Sequence, residues 1–155
     1  MTRTPEPWPD LAGRLVPGGH VLPVRVYFED TDFSGVVYHA NYLRFLERGR
    51  TDFLRLLGVG HDALDRGAGE GDRLAFAVRH MTLEFLKPAR IDELLEVDTR
   101  LARTTGARIV LDQAVRRGDA VLVEATVTVA LVNRAGRVRR LPDDLRGRLV
   151  AGATS

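Results

Sequence analysis

Two aspartates and a histidine lie close together in the first third of the chain, where they could act on a carbonyl group. Asp30 and Asp32 belong to an acidic loop that contains Gly35, and His39 follows where an apolar helical pattern begins. A carboxylate can attack a carbonyl carbon or activate a water molecule as a general base. Unpaired N–H groups at a helix start favour negative charge on a carbonyl oxygen. The stretch is therefore a candidate active site.

Each of these residues also has a structural interpretation. An aspartate just before a helix often only accepts hydrogen bonds from nearby backbone N–H groups. A histidine imidazole can act as a general base near neutral pH, yet a lone histidine at a helix start, such as His39, is more often structural. From the residue types alone, the catalytic group could be any one of Asp30, Asp32 and His39.

The loop must be positioned by the helix that follows it. Apolar or small residues recur there in steps of three and four, which predicts a helix with one buried face: Tyr42, Leu46, Gly49, Phe53 and Leu56. Gly58 stands where a left-handed C-terminal cap is usual. Gly49 costs about 1 kcal/mol of helix propensity, so we expect close packing of the helix at that point.

The remaining pattern predicts an α+β fold. A first strand is expected over residues 20–28, four further strands over 76–86, 94–103, 108–116 and 120–132, and a short helix after Pro142. Strands and helices do not alternate, so a single curved antiparallel sheet is expected to cover the long helix. Residues 1–19 hold four of the seven prolines and are interpreted as a flexible tail. Residues 20–150 are predicted to form one domain.

Composition narrows the functional class. The chain has 155 residues, 45% of them hydrophobic, and no cysteine, which excludes disulfides, thiolate metal sites and a cysteine nucleophile. No apolar run could span a bilayer and no secretory signal is recognised, so a cytoplasmic location is expected. The net charge is +2, but all except one of the 23 basic residues are arginines spread along the chain. Nucleic-acid binding is not expected.

The acidic loop and the helix start also carry a recognisable motif. Residues 24–32 (VRVYFEDTD), 35–42 (GVVYHANY) and 87–92 (KPARID) closely resemble the hotdog-fold acyl-CoA thioesterases. They are most similar to the 4-hydroxybenzoyl-CoA thioesterase family and its YbgC-like, Tol-Pal-associated branch. The resemblance covers residues 20–150 and implies a hotdog fold, in which a curved antiparallel sheet wraps one long central helix.

The resemblance further implies hydrolysis of an acyl-CoA thioester to a carboxylic acid and free coenzyme A. It implies no metal and no cofactor, since coenzyme A is part of the substrate. A homodimer or tetramer with sites at the dimer interface is expected, and acyl carrier protein is an alternative carrier.

Roles for individual residues follow from the same resemblance. Asp32 matches the catalytic carboxylate, as nucleophile or general base, and the backbone N–H of His39 matches the donor that polarises the carbonyl. Asp30 is expected to have a structural role and to hold the loop in place. Substrate contacts are expected from the residues around the helix start and from one basic residue: Gly35, Val36, Val37, Tyr38, Asn41 and Arg90.

Three features leave alternatives open. Phe33 and Ser34 replace the usual Ala-Gly of the family, which affects the pocket mouth and substrate preference. Glu47 is a further candidate carboxylate, although Arg44 and Arg50 three residues to either side favour an ion pair. The glycine-rich loop at residues 67–71 is a candidate cover for the acyl pocket.

Two other functions remain as rivals. A hotdog dehydratase or hydratase would need a histidine paired with a carboxylate, which His39 and Asp32 could imitate. A non-catalytic module that binds acyl-CoA or acyl carrier protein is the second rival.

Overall fold

The computed structural model describes residues 13–59 and 73–154. Their strands are β1 Arg14–Val16, β2 Gly19–Arg25, β3 Ala75–Phe85, β4 Leu94–Thr104, β5 Arg108–Arg117 and β6 Ala120–Val132. The helices are α1 Asn41–Leu56 and α2 Asp143–Thr154, and a short 3-10 helix spans Phe28–Asp30. In the described ranges the strands form one sheet in the order β1-β2-β4-β5-β6-β3. Each neighbouring pair is antiparallel, which confirms the α+β prediction.

Helix α1 lies across the sheet and contacts β2, β4 and β5. Phe45, Leu46 and Phe53 on its inner face are fully buried, and each such side chain stabilises the fold by about 1.5–3 kcal/mol. Gly49 allows α1 to approach the sheet closely, because a Cβ atom there would lie 2.7 Å from Cγ1 of Val97 on β4. The close packing expected at Gly49 is thus confirmed, and it fixes where the start of α1 lies relative to the sheet.

The N-terminal boundary differs from the prediction. Residues 14–16, assigned to a flexible tail, form β1 and pair with β2. The predicted strand over residues 20–28 ends at Arg25, because the chain enters the 3-10 helix at Phe28. Residues 1–12 and the glycine-rich loop at 67–71 lie outside the described residues, so the predictions made for them stay predictions.

A buried polar cluster joins this N-terminal hairpin to α1. The imidazole Nε2 of His20 lies 2.6 Å from Oδ2 of Asp52, and the N–H of Gly13 donates to the same oxygen at 2.7 Å. Arg55 donates to the other carboxylate oxygen. These contacts connect β1, β2 and α1 at the end of the helix away from the acidic loop.

Neither of the helices described here combines the length and the apolar character that a bilayer crossing requires.

Candidate active site

The acidic loop is a tight backbone hairpin that leads from β2 to the start of α1. Thr31 pairs with Val37, and the N–H of Asp32 donates to the carbonyl of Val36 at 2.9 Å. The N–H of Gly35 donates to the carbonyl of Asp32 at 3.1 Å. Gly35 has φ = +83°, a conformation that costs glycine little and other residues more. Gly35 therefore lets the chain turn tightly between Asp32 and the start of α1.

Asp30 is the buried carboxylate of this loop, with only 4% of its surface exposed. Its Oδ2 accepts the N–H of Tyr27 at 2.8 Å, and its Oδ1 accepts the side-chain amide of Asn41 at 2.6 Å. Its backbone carbonyl accepts the N–H of Tyr38 at 2.9 Å. Asp30 thus joins the 3-10 helix to the first residue of α1, which is the loop-holding role expected for it.

Asp32 has a different environment, because its side chain is half-exposed at the tip of the hairpin. Oδ1 accepts two hydrogen bonds from Ser34, one from the hydroxyl at 2.5 Å and one from the backbone N–H at 2.8 Å. The hydroxyl bond and then the backbone bond lower the pKa of Asp32 below its usual value of 3.8. The side chain is therefore a carboxylate at neutral pH, which is the form that a nucleophile or base requires.

A free backbone donor lies just before the start of α1. The backbone N–H of Asn41 donates to the carbonyl of Tyr38 at 2.8 Å, whereas the backbone N–H of His39, two residues before the helix, donates to no backbone carbonyl in the described ranges. Such groups, together with the helix dipole, favour negative charge on an oxygen placed against them. The position of His39 thus suits the carbonyl-polarising role that the resemblance implies.

A small cleft of about 260 Å³ opens beside this helix start. Its lining is largely apolar and comes from the hairpin, from α1 and from the segment after β3: Val37, His39, Tyr42, Phe85, Leu86, Lys87 and Pro88. The hydroxyl of Tyr42 accepts the N–H of Ala89 at 3.0 Å and so fixes one wall. Burial raises the pKa of Tyr42, which stays a neutral phenol. An apolar acyl or pantetheine segment would suit this lining.

The His39 imidazole belongs to the wall of the cleft. Its ring lies 4.6 Å from the ring of Tyr38 and 6.2 Å from that of Phe85, measured between centroids. Asp32 does not line the cleft, and no hydrogen bond or ion pair joins its carboxylate to His39 within the described residues. One protomer therefore does not bring the two predicted catalytic residues into contact.

The predicted substrate-binding residues fall into two groups. Gly35, Val36 and Val37 follow Asp32 in the hairpin, where Val37 is buried and donates its N–H to the carbonyl of Ala89 at 2.8 Å. Tyr38 is about half-exposed beside His39.

The second group consists of Asn41 and Arg90, whose observed contacts are within the fold. The side-chain amide of Asn41 donates a hydrogen bond to Asp30. Arg90 pairs with Val36 through its backbone and exposes its side chain. A direct substrate contact by either residue stays a prediction.

Glu47 lies on the exposed side of α1, eight residues after His39, or about 12 Å along the helix axis. The Arg50 guanidinium donates to Oε1 of Gln113 at 3.0 Å, and no ion pair joins it to Glu47 in the part of the chain described. Burial lowers the pKa of Arg50, which stays charged. The expected ion pair is therefore not formed with Arg50, and Glu47 is remote from the helix start.

Sequence reasoning missed two parts of the site. The Ser34 backbone bond to Asp32 has a local signal, since an aspartate side chain commonly accepts the backbone N–H two residues later. The contribution of Phe85 and Leu86 to the cleft has no local signal, because it depends on how β3 lies beside α1. Among the described residues, no group of three or more histidine and carboxylate side chains is placed to hold a metal ion.

Comparison with known proteins agrees with the fold and with the motif. Residues 26–149 match the family described as the thioesterase-like superfamily. The acyl-CoA thioesterase YbgC of Haemophilus influenzae is 42% identical over 119 residues, which are 77% of this chain and 85% of that protein. The acyl-CoA thioester hydrolase YbgC of Escherichia coli is 44% identical over 112 residues, 72% of this chain and 80% of that one.

A solved structure gives the same result. The probable thioesterase of Bartonella henselae is 51% identical and superposes with a TM-score of 0.76, covering 80% of this chain and 99% of that one. The family match over residues 26–149 spans the hairpin, α1 and strands β3 to β6. The chain therefore belongs to the thioesterase-like superfamily of hotdog proteins, in its YbgC branch.

Proposed function

We propose that this protein hydrolyses acyl-CoA thioesters to a carboxylic acid and free coenzyme A, with Asp32 as the catalytic carboxylate. The observation that carries the proposal is the contrast between the two loop aspartates. Asp30 is buried and uses both carboxylate oxygens to hold the loop, whereas Asp32 is half-exposed and ionised. Asp32 is thus free to meet a substrate, in a family whose YbgC members are named as acyl-CoA thioesterases.

The chemistry begins with the thioester carbonyl placed against the start of α1. The N–H of His39 donates to the carbonyl oxygen and stabilises the negative charge that develops as the carbon is attacked. In one route Asp32 attacks the carbon, the C–S bond breaks, and coenzyme A leaves as a thiolate that takes a proton from water. Water then cleaves the mixed anhydride. In the other route Asp32 removes a proton from a water molecule, which attacks the carbon directly; the C–S bond then breaks and the coenzyme A thiolate takes that proton.

The position of Asp32 outside the cleft supports a site made by two protomers. We propose a homodimer, or a tetramer built from dimers, in which Asp32 of one protomer faces the helix start of its partner. β3 stands at the edge of the sheet and carries the exposed apolar side chains of Val78 and Phe85. Such an edge is commonly covered by another chain. Sedimentation that gave only monomers under assay conditions would contradict this arrangement.

The acyl group is proposed to enter the apolar cleft beside Tyr42 and Phe85. The carrier is coenzyme A, with acyl carrier protein as the second candidate, and the location is proposed to be the cytoplasm, where both carriers occur. No metal or cofactor takes part in either route, so a chelator should leave the rate unchanged.

The function is tested with a panel of short, long and aromatic acyl-CoAs, and free thiol is measured with a chromogenic reagent. The protein has no cysteine, so it adds no thiol signal of its own. We expect thiol release with at least one class of acyl group. Enoyl absorbance changes without thiol release would instead identify a dehydratase or hydratase. Tight binding of acyl-CoA without turnover would identify a binding module.

A further inference from the structure

We infer that Ser34 is a positioning residue for Asp32, and that its hydroxyl selects which carboxylate oxygen meets the substrate. The inference rests on the proposed function, because it assigns to Asp32 the role of nucleophile or base. Ser34 follows Asp32 by two residues in the same hairpin, and it does not touch the reacting carbonyl.

The geometry of the two hydrogen bonds carries the inference. The Ser34 hydroxyl and the Ser34 backbone N–H both donate to Oδ1 of Asp32, at 2.5 and 2.8 Å. Oδ2 accepts no hydrogen bond from any other described residue. Two donors on one oxygen fix the rotation of the carboxylate, so the unshared oxygen is the one presented outward. A half-exposed carboxylate without such donors would rotate freely between equivalent orientations.

The turn places Ser34 for this contact. The hydrogen bonds from Gly35 to Asp32 and from Asp32 to Val36 close the backbone around Ser34. Any residue except proline at position 34 would supply the backbone N–H, whereas serine or threonine is needed to supply the hydroxyl. The hydroxyl bond therefore depends on the side chain and can be removed without removing the turn.

The Ser34 hydroxyl is expected to contribute little to the stability of the fold. Ser34 is exposed, so water would replace Asp32 as its partner if the bond were lost, and the net effect on folding is small. Its consequence is expected on the reaction instead. Both bonds favour the ionised carboxylate and lower the pKa of Asp32, which keeps the group charged at a lower pH.

The experiment compares Ser34→Ala with Ser34→Thr. Loss of one hydrogen bond to an exposed carboxylate should reduce kcat about three- to tenfold while KM stays within about twofold. The pKa of Asp32 should rise in Ser34→Ala, so the acidic limb of kcat/KM moves to higher pH. Threonine should restore both kcat and the limb, because its hydroxyl can make the same bond.

A matched control is available in the same loop. The Thr31 hydroxyl donates to the carbonyl of Phe28 at 2.8 Å and does not contact the Asp32 carboxylate. Thr31→Val removes a hydroxyl one residue from Asp32, and it should leave the acidic limb where the wild type has it. An equal shift in Thr31→Val would show that any disturbance of the loop has this effect and would overturn the inference.

A measurement independent of turnover separates this inference from the proposed function. The titration of the Asp32 carboxyl carbon is followed by NMR in the wild type and in Ser34→Ala. A higher pKa in Ser34→Ala, with restoration by threonine, supports the inference. Equal pKa values, or wild-type kcat in Ser34→Ala, overturn it. If Asp32→Asn keeps full activity, the proposed role of Asp32 fails, whatever the titration shows.

Discussion

The removal of Asp30 should cost much of the stability of the fold, although Asp30 takes no part in the proposed reaction. Its buried carboxylate accepts hydrogen bonds from the Tyr27 N–H and from the Asn41 amide, at 2.8 and 2.6 Å. Asp30→Ala removes both acceptors and leaves two partly buried donors without partners. Asp30→Asn keeps the shape and one acceptor oxygen, and the Asn41 amide can turn to accept from the new donor.

The expected magnitudes follow from these contacts. A hydrogen bond to a charged group contributes about 1.5–3 kcal/mol when buried. Because Tyr27 is exposed and Asn41 half-buried, water recovers part of this loss. We therefore expect Asp30→Ala to lower the free energy of unfolding by about 3 kcal/mol. We expect a loss of about 1 kcal/mol for Asp30→Asn, since only the charge assistance is lost.

Urea unfolding followed by far-UV circular dichroism measures both values. The protein concentration is held constant, because the stability of an oligomer depends on it. Activity is measured on the same samples, and Asp30→Asn should keep most of it. An Asp30→Ala protein within about 0.5 kcal/mol of the wild type would refute this account of the loop, since surface substitutions have effects of that size.

Three further substitutions test the packing and the helix start. Gly49→Ala should destabilise by about 1 kcal/mol despite the better helix propensity of alanine, because its Cβ would lie 2.7 Å from a methyl group of β4. Gly106→Ala has open space around its Cβ and serves as the control in the same unfolding assay. Tyr42→Phe leaves the buried Ala89 N–H without its acceptor and should cost about 1–3 kcal/mol, measured by urea unfolding. His39→Ala keeps the backbone N–H, so kcat/KM should fall less than tenfold. A loss of several orders of magnitude would instead show that the His39 imidazole acts as a general base.

Local patterns account for the parts of the fold that the sequence predicted well. The apolar steps along α1 repeat with the helical period, and the helix runs over Asn41–Leu56 as expected. The alternation in β6 predicted its range correctly, Ala120–Val132. Gly58 has a positive φ angle, +77°, at the predicted helix cap. Each of these features depends on residues near one another in the chain.

Features that depend on distant contacts were not predictable in the same way. β1 is only three residues long and follows a proline-rich stretch, so no alternation identifies it. It forms because β2 offers a partner strand and because Asp52, far along the chain, accepts the N–H of Gly13. The different roles of Asp30 and Asp32 are similarly decided by burial, which residue type and spacing do not contain. For those two residues, only the family motif distinguished the roles.

The most direct test of the central claim compares the wild type with Asp32→Asn in the thiol-release assay, on the acyl-CoA that the wild type turns over best. Asparagine keeps the shape and accepts the Ser34 hydrogen bonds, but it has no charge and is neither a nucleophile nor a base. We predict a loss of kcat of several orders of magnitude with an unchanged urea midpoint. We also predict that the midpoint of the acidic limb of wild-type kcat/KM lies below pH 3.8, since the hydrogen bonds from Ser34 lower the pKa of Asp32 below that value. Equal turnover by the two proteins would contradict the account and leave the activity to another carboxylate, with Glu47 the first to test.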